Sequence, residues 1–87
     1  LTKTLAAEWA ARGVRVNAIS PGFFPTELSR KAMSQERRES ALRRTPMGRF
    51  GELEELVGTA VYLASPASAF VTGVVINVDG GYLASGI

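Results

Sequence analysis

Eighty-seven residues suffice for one small domain at most, and at 46% hydrophobic residues the chain carries more apolar surface than so short a polypeptide can bury by itself. There is no cysteine and no histidine, which excludes a disulfide framework, a thiolate metal site and the commonest general base. No apolar run approaches a membrane span and no signal peptide opens the chain, so the sequence reads as a soluble, cytoplasmic protein without a membrane partner.

The first segment, Leu1 to Arg12, reads as a helix. Leu1, Leu5 and Trp9 recur every fourth residue, Glu8 and Arg12 form an i,i+4 pair, and Gly13 stands where a helix ends. No capping residue precedes Leu1, which is not a methionine, so the chain is expected to be a piece of something longer. The Leu1, Leu5 and Trp9 stripe suits either a core or a subunit interface.

Val14 to Ser20 then reads as a buried strand. Pro21 is expected to end its pairing, and Gly22 to admit a close approach to its backbone. Residues 27–45 are mostly polar and read as a long excursion with one or two short helices, one of them starting at Ser34. Seven of the ten basic residues fall between Arg30 and Arg49. Such a run is a solvated face or an attractor of anionic substrate. Thr45-Pro46 closes the excursion, and Gly48 with Gly51 makes a turn. A helix is expected from Glu52 to Ala64, with Glu52, Glu54 and Glu55 at its positive end and Ser65-Pro66 as its stop. Val74 to Val78 is a β-branched run, as in a strand covered on both faces. Asp79-Gly80-Gly81 is a turn without phosphate-loop spacing, and Tyr82 to Ile87 is a tail. Two strands with helices between them make a parallel α/β unit.

Three blocks carry a resemblance. Val14-Arg15-Val16-Asn17-Ala18-Ile19-Ser20-Pro21-Gly22 with Thr26, Pro46-Met47-Gly48-Arg49-Phe50-Gly51, and Ser68 with Phe70-Val71-Thr72-Gly73 to Asp79-Gly80-Gly81 stand in one order. Together they resemble the C-terminal third of the short-chain dehydrogenase/reductase family. Residues 79–87 and Arg44-Thr45-Pro46 look most like its sugar-acid and polyol dehydrogenases, such as the gluconate 5-dehydrogenases; acyl-carrier-protein reductases have similar blocks. The resemblance implies the last part, 1–87, of a single doubly wound parallel-sheet Rossmann domain. It implies NAD or NADP as cofactor, a small alcohol or carbonyl as substrate, and assembly into a homo-oligomer, a tetramer or dimer.

The resemblance also implies a nicotinamide site at Pro21, Gly22, Phe24 and Thr26. The backbone of Phe24 would pair with the carboxamide, and the Thr26 hydroxyl would bond the carboxamide or pyrophosphate. Without the resemblance, the same residues read as a strand-ending turn with a capping threonine. Residues 27–45 resemble the family's substrate lid, with Phe24, Leu28 and Met33 as an apolar wall.

No catalytic residue and no metal ligand is assigned. The family's Tyr-x-x-x-Lys pair does not occur, because Tyr62 is followed at that spacing by Pro66 and Tyr82 by Gly86. Its glycine-rich first turn is missing too, so these residues alone should not catalyse. Two other readings remain: a basic nucleic-acid-binding module using the Gly48-Arg49-Phe50-Gly51 loop, and an inactive structural piece. The acidic turn that follows the loop weighs against nucleic acid.

Overall fold

A computed structural model describes residues 1–85; Gly86 and Ile87, the end of the expected tail, lie outside the described residues. The elements in order are α1 (Thr2–Trp9), β1 (Ala18–Pro21), α2 (Glu27–Ala32), α3 (Gln35–Arg44), α4 (Leu53–Ala64) and β2 (Val75–Val78). Single 3-10 turns follow α1 at Ala10–Arg12, follow α4 at Pro66–Ser68, and close the described chain at Leu83–Ser85. β1 and β2 are parallel, paired from Ala18 with Val75 to Pro21 with Val78, and α4 packs on β1. This is the α/β arrangement of a partial Rossmann fold. Among the described residues no helix is long and apolar enough to cross a membrane.

The pairing does end at Pro21, but not for want of its N–H. Pro21 is the last rung of the ladder, and Gly22 beyond it still donates its N–H to Val78 O at 2.9 Å. The reason is parity. Ala18 donates to Val74 O and Gly22 to Val78 O, so the even-numbered amides face β2. The nitrogen of Pro21 faces the opposite edge, where its missing hydrogen interrupts nothing.

The strand also begins later than its sequence suggests. Residues 14–17 are tied to the connector before β2 by one main-chain bond, Gly73 N–H to Val16 O at 2.8 Å, and otherwise by side chains. The amide of Asn17 donates to Val71 O and accepts from Val74 N–H, both at 3.1 Å. Thr72 Oγ1 accepts the Val16 N–H at 3.0 Å, and Arg15 Nη1 donates to Ser68 Oγ at 3.0 Å. Ser68 is fully buried, and its hydroxyl lies within bonding range of Leu63 O and Ser65 O at the end of α4. This polar clasp sets the register of the two strands.

The helices start and stop for local reasons. Ser34 Oγ caps α3 by accepting Arg37 N–H at 3.1 Å, and Glu55 reaches back to accept Glu52 N–H at 2.8 Å at the head of α4. Leu56, Thr59 and Leu63 of α4 are half-buried, whereas Leu53, Val57 and Val61 form a second stripe open to solvent. α1 tightens into a 3-10 turn at Ala10, and Gly13 caps it at φ 80°. Neither the Glu8–Arg12 pair nor a Glu39–Arg43 pair forms; Glu39 accepts from Gln35 Nε2 instead.

The described apolar core is small. Ala6 and Ala41 are buried, while Leu1 is 93% and Phe70 fully exposed. Trp9 is 37% exposed, whereas Leu5 is half-buried, so the stripe on α1 is only partly covered within this chain. β2 is not covered on both faces either, since Val75 is half-exposed.

Candidate functional site

The predicted residues gather where β1 ends, beside the turn that leaves β2. Gly22 is needed there because of a close approach. A Cβ at this position would stand 2.8 Å from the Cα of Asp79. The group that crowds Gly22 is therefore the chain's own next turn. Asp79 fixes that turn by accepting Gly81 N–H at 3.0 Å and Leu83 N–H at 3.2 Å, which fits the reading of Asp79-Gly80-Gly81 as structural.

Phe23 is held twice. Its carbonyl accepts Gly51 N–H at 3.0 Å, and its ring meets Tyr82 edge-on at 5.6 Å. The ring of Phe24 lies directly on Gly51. The main-chain N–H and C=O of Phe24 have no hydrogen-bond partner among the described residues. Pro25 follows, which keeps Phe24 in the extended region. Thr26 is exposed and caps α2: its Oγ1 accepts Ser29 N–H at 3.1 Å and lies 2.9 Å from Ser29 Oγ. A hydroxyl has a proton and two lone pairs, so the cap leaves bonding capacity for a ligand.

These four residues do not line one cavity. Pro21 and Gly22 border a recess of about 210 Å³ with Asp79 and Tyr82. Phe24 and Thr26 border another of about 530 Å³ with Arg30 and Glu52. Phe24 also faces a third, about 310 Å³, lined by Phe23, Thr45, Arg49, Asn77 and Asp79 among others. Phe24 and Gly51 belong to both of the latter two, so ring and glycine form the partition between them.

The excursion over 27–45 is the helix pair α2 and α3. Arg38 Nη2 donates to Arg30 O at 3.1 Å, joining the two helices. Arg30 lies 3.8 Å from Glu52 and 5.8 Å above the Phe50 ring centre, tying α2 to the head of α4. The expected apolar wall is incomplete. Phe24 and Met33 are half-buried, but Leu28 is 79% exposed and contributes no wall here. A six-residue helix turns one side to the protein, and Arg30 occupies it.

In the Gly48–Gly51 loop, both guanidinium nitrogens of Arg49 bond the Glu55 carboxylate at 2.8 Å. This bidentate pair, with the Glu52 N–H bond, holds the Glu55 carboxyl down at about 2 and raises Arg49. The cation that a nucleic-acid backbone would need from this loop is thus already engaged. No cluster of metal-ligating side chains occurs among the described residues.

Sequence reasoning missed the support beneath the turn: Gly51, Asp79 and the clasp of Arg15, Asn17 and Ser68. Arg15 and Asn17, polar inside a valine-rich run, were the local signals for the clasp. The stacking of Phe24 on Gly51 joins residues far apart in the chain and leaves no local trace.

Residues 1–83 match the family model described as enoyl-(acyl carrier protein) reductase. The chain is 54% identical over 83 residues to a galactitol 2-dehydrogenase (L-tagatose-forming) of Cereibacter sphaeroides, covering 94% of this chain and 33% of that protein. It is 46% identical over 86 residues to a gluconate 5-dehydrogenase of Gluconobacter oxydans, covering 98% and 34%. A crystal structure of a gluconate 5-dehydrogenase from Burkholderia cenocepacia, in complex with NADP and tartrate, superposes with TM-score 0.87 at 43% identity over 95% of this chain and 33% of that one. The chain therefore spans about a third of the length of the curated relatives it matches. With the parallel strands, the Pro21-Gly22 turn and these matches together, the chain belongs to the short-chain dehydrogenase/reductase family.

Proposed function

We propose that this chain is the C-terminal part, 1–87, of a single-domain, cytoplasmic NAD(P)-dependent oxidoreductase. The whole protein interconverts an alcohol and a carbonyl by hydride transfer. Its substrate is a sugar acid or polyol, as the names of the galactitol and gluconate dehydrogenases above suggest. Pro21, Gly22, Phe24 and Thr26 form the nicotinamide side of the cofactor site, and residues 27–45 the substrate lid.

One observation carries this reading: the open main chain of Phe24 at the C-terminal edge of β1. In extended backbone a residue's N–H and C=O point to the same side, as in a parallel ladder. A primary carboxamide offers the matching acceptor and donor. Two such bonds would fix one face of the nicotinamide ring toward the substrate, and orientation is much of what a protein gives to cofactor chemistry. The edge where a strand ends is also where open α/β sheets bind ligands.

The same chain's residues would then act in distinct ways. Gly22 and Asp79 hold the turn close. Thr26 caps α2 and turns its remaining hydroxyl capacity to the cofactor. α2 and α3, pinned through Arg30 and Arg38, would exclude water from above. Homo-oligomerisation is part of the proposal, and the solvent-facing Leu53, Val57 and Val61 stripe supports it. A nucleic-acid role gains no support, because Arg49 is bound to Glu55.

The test uses the complete protein that carries this segment. Thr26→Val should raise the KM for the cofactor while Thr26→Ser preserves it. Unchanged cofactor KM in Thr26→Val, or no nicotinamide turnover by the wild type with any sugar acid or polyol, would defeat the proposal.

A further inference from the structure

We infer that Gly51 is a positioning residue for the cofactor clamp: it is the shelf that holds the Phe23-Phe24 main chain in place. This rests on the reading of Phe24 given under the proposed function and extends it to a residue outside the turn.

Three observations converge on Gly51. Its N–H is bonded to Phe23 O at 3.0 Å, so it fixes the carbonyl immediately before Phe24. Its missing side chain is replaced by the Phe24 ring. A Cβ at residue 51 would stand 2.6 Å from Cδ2 of that ring, far inside ordinary contact, so the ring must move if any side chain is added. The stacked pair also separates the two recesses of about 310 and 530 Å³. A shift of the ring therefore changes both sides of the partition at once.

The shelf is itself anchored at both ends. Met47 N–H bonds Gly80 O at 3.0 Å, and Gly48 N–H bonds Thr45 O at 2.8 Å, fastening its start to the turn after β2 and to the end of α3. Arg49 donates to Phe50 O at 3.1 Å and takes both oxygens of Glu55, fastening its end to α4. Phe24 gains its fixed main chain from these remote ties, since its own N–H and C=O are unbonded among the described residues. Ground-state rigidity of this kind matters for hydride transfer, where misplacement on the order of 1 Å costs about 100-fold in rate.

The experiment measures binding of NADP⁺ and of 2′-phospho-ADP-ribose, which lacks nicotinamide, to the complete protein. Wild type, Gly51→Ala, Phe24→Leu and the double variant are compared by calorimetry and by kcat/KM. Gly51→Ala is expected to lower kcat/KM for the cofactor by roughly 100-fold and to weaken NADP⁺. It should leave 2′-phospho-ADP-ribose unchanged. In the Phe24→Leu background, where the ring is gone, Gly51→Ala should cost only about threefold; the roughly 30-fold difference between the two backgrounds is the coupling of two touching residues.

Equal loss in both backgrounds, or equal weakening of the nicotinamide-free probe, overturns the inference. Wild type that binds neither NADP⁺ nor NAD⁺ instead refutes the proposed function; where NAD⁺ is preferred, NAD⁺ and ADP-ribose serve as the two probes. If Gly51→Ala does not fold, Arg49→Gln replaces it, freeing the shelf without adding atoms. A selective weakening of NADP⁺ supports the inference, and an unchanged ratio of the two affinities overturns it.

Discussion

Residues 1–87 expressed by themselves should not fold cooperatively as a monomer. The structure supplies the magnitude. Its accessible surface is 6297 Å², against about 5,000 Å² for a compact monomer of 9.3 kDa, a surplus of roughly 1,300 Å². The radius of gyration is 15.7 Å, where a compact chain of this length has about 12 Å. If about three-fifths of the surplus is apolar, at about 25 cal/mol/Å² the chain forgoes roughly 20 kcal/mol of burial. Net stabilities of whole domains are only about 5–15 kcal/mol, so this deficit decides the outcome. The assay is near-ultraviolet circular dichroism of Trp9, Tyr62 and Tyr82 through a thermal scan, at concentrations where sedimentation shows a monomer. Weak aromatic signal, dye binding and no sharp transition are expected. A cooperative melt of the monomer in the ordinary range of about 45–65 °C would show that these residues bury enough surface to fold by themselves.

Three further outcomes are expected in the complete protein. Asn17→Ala removes two hydrogen bonds of the clasp and should cost about 2 kcal/mol, read from the urea midpoint; an unmoved midpoint would remove the clasp from the account. Ser68→Val removes a fully buried hydroxyl and leaves Arg15 Nη1 only Val71 O at 3.4 Å, so it should destabilise by about 1–3 kcal/mol in the same assay; an unmoved midpoint would make the contact incidental. A carbon-13 titration of the Glu55 carboxyl should give about 2. Because this folded value is depressed, its stabilising contribution is complete above the ordinary carboxyl pKa and fades as pH falls through about 2. Arg49→Gln should return Glu55 towards the ordinary range, and a value already ordinary in the wild type would contradict the bidentate geometry.

Much of the fold was legible because its signals are local. Ser34 caps α3, Ser65-Pro66 stops α4, and the β-branched run at residues 74–78 pairs in parallel with β1. What was illegible depends on partners. Whether Pro21 breaks a ladder depends on which edge its nitrogen faces, and sequence does not give that until the neighbouring strand is placed. Leu28 and Met33 have equal apolar character, yet only one is turned inward, because Arg30 claims the inner side of a short helix. Val75 sits in a run that reads as buried, but its covering layer is not among residues 1–85. At the candidate site, Pro21, Gly22, Phe24 and Thr26 do share the end of β1, though in separate recesses. The residue crowding Gly22 and the one beneath Phe24 are long-range neighbours, invisible to any pattern.

A crystal structure of the complete protein with its nicotinamide cofactor should show the carboxamide oxygen accepting from the Phe24 N–H, and the carboxamide NH₂ donating to the Phe24 C=O. A nicotinamide ring bound elsewhere, with side chains packed against the Phe24 main chain, would contradict that pairing.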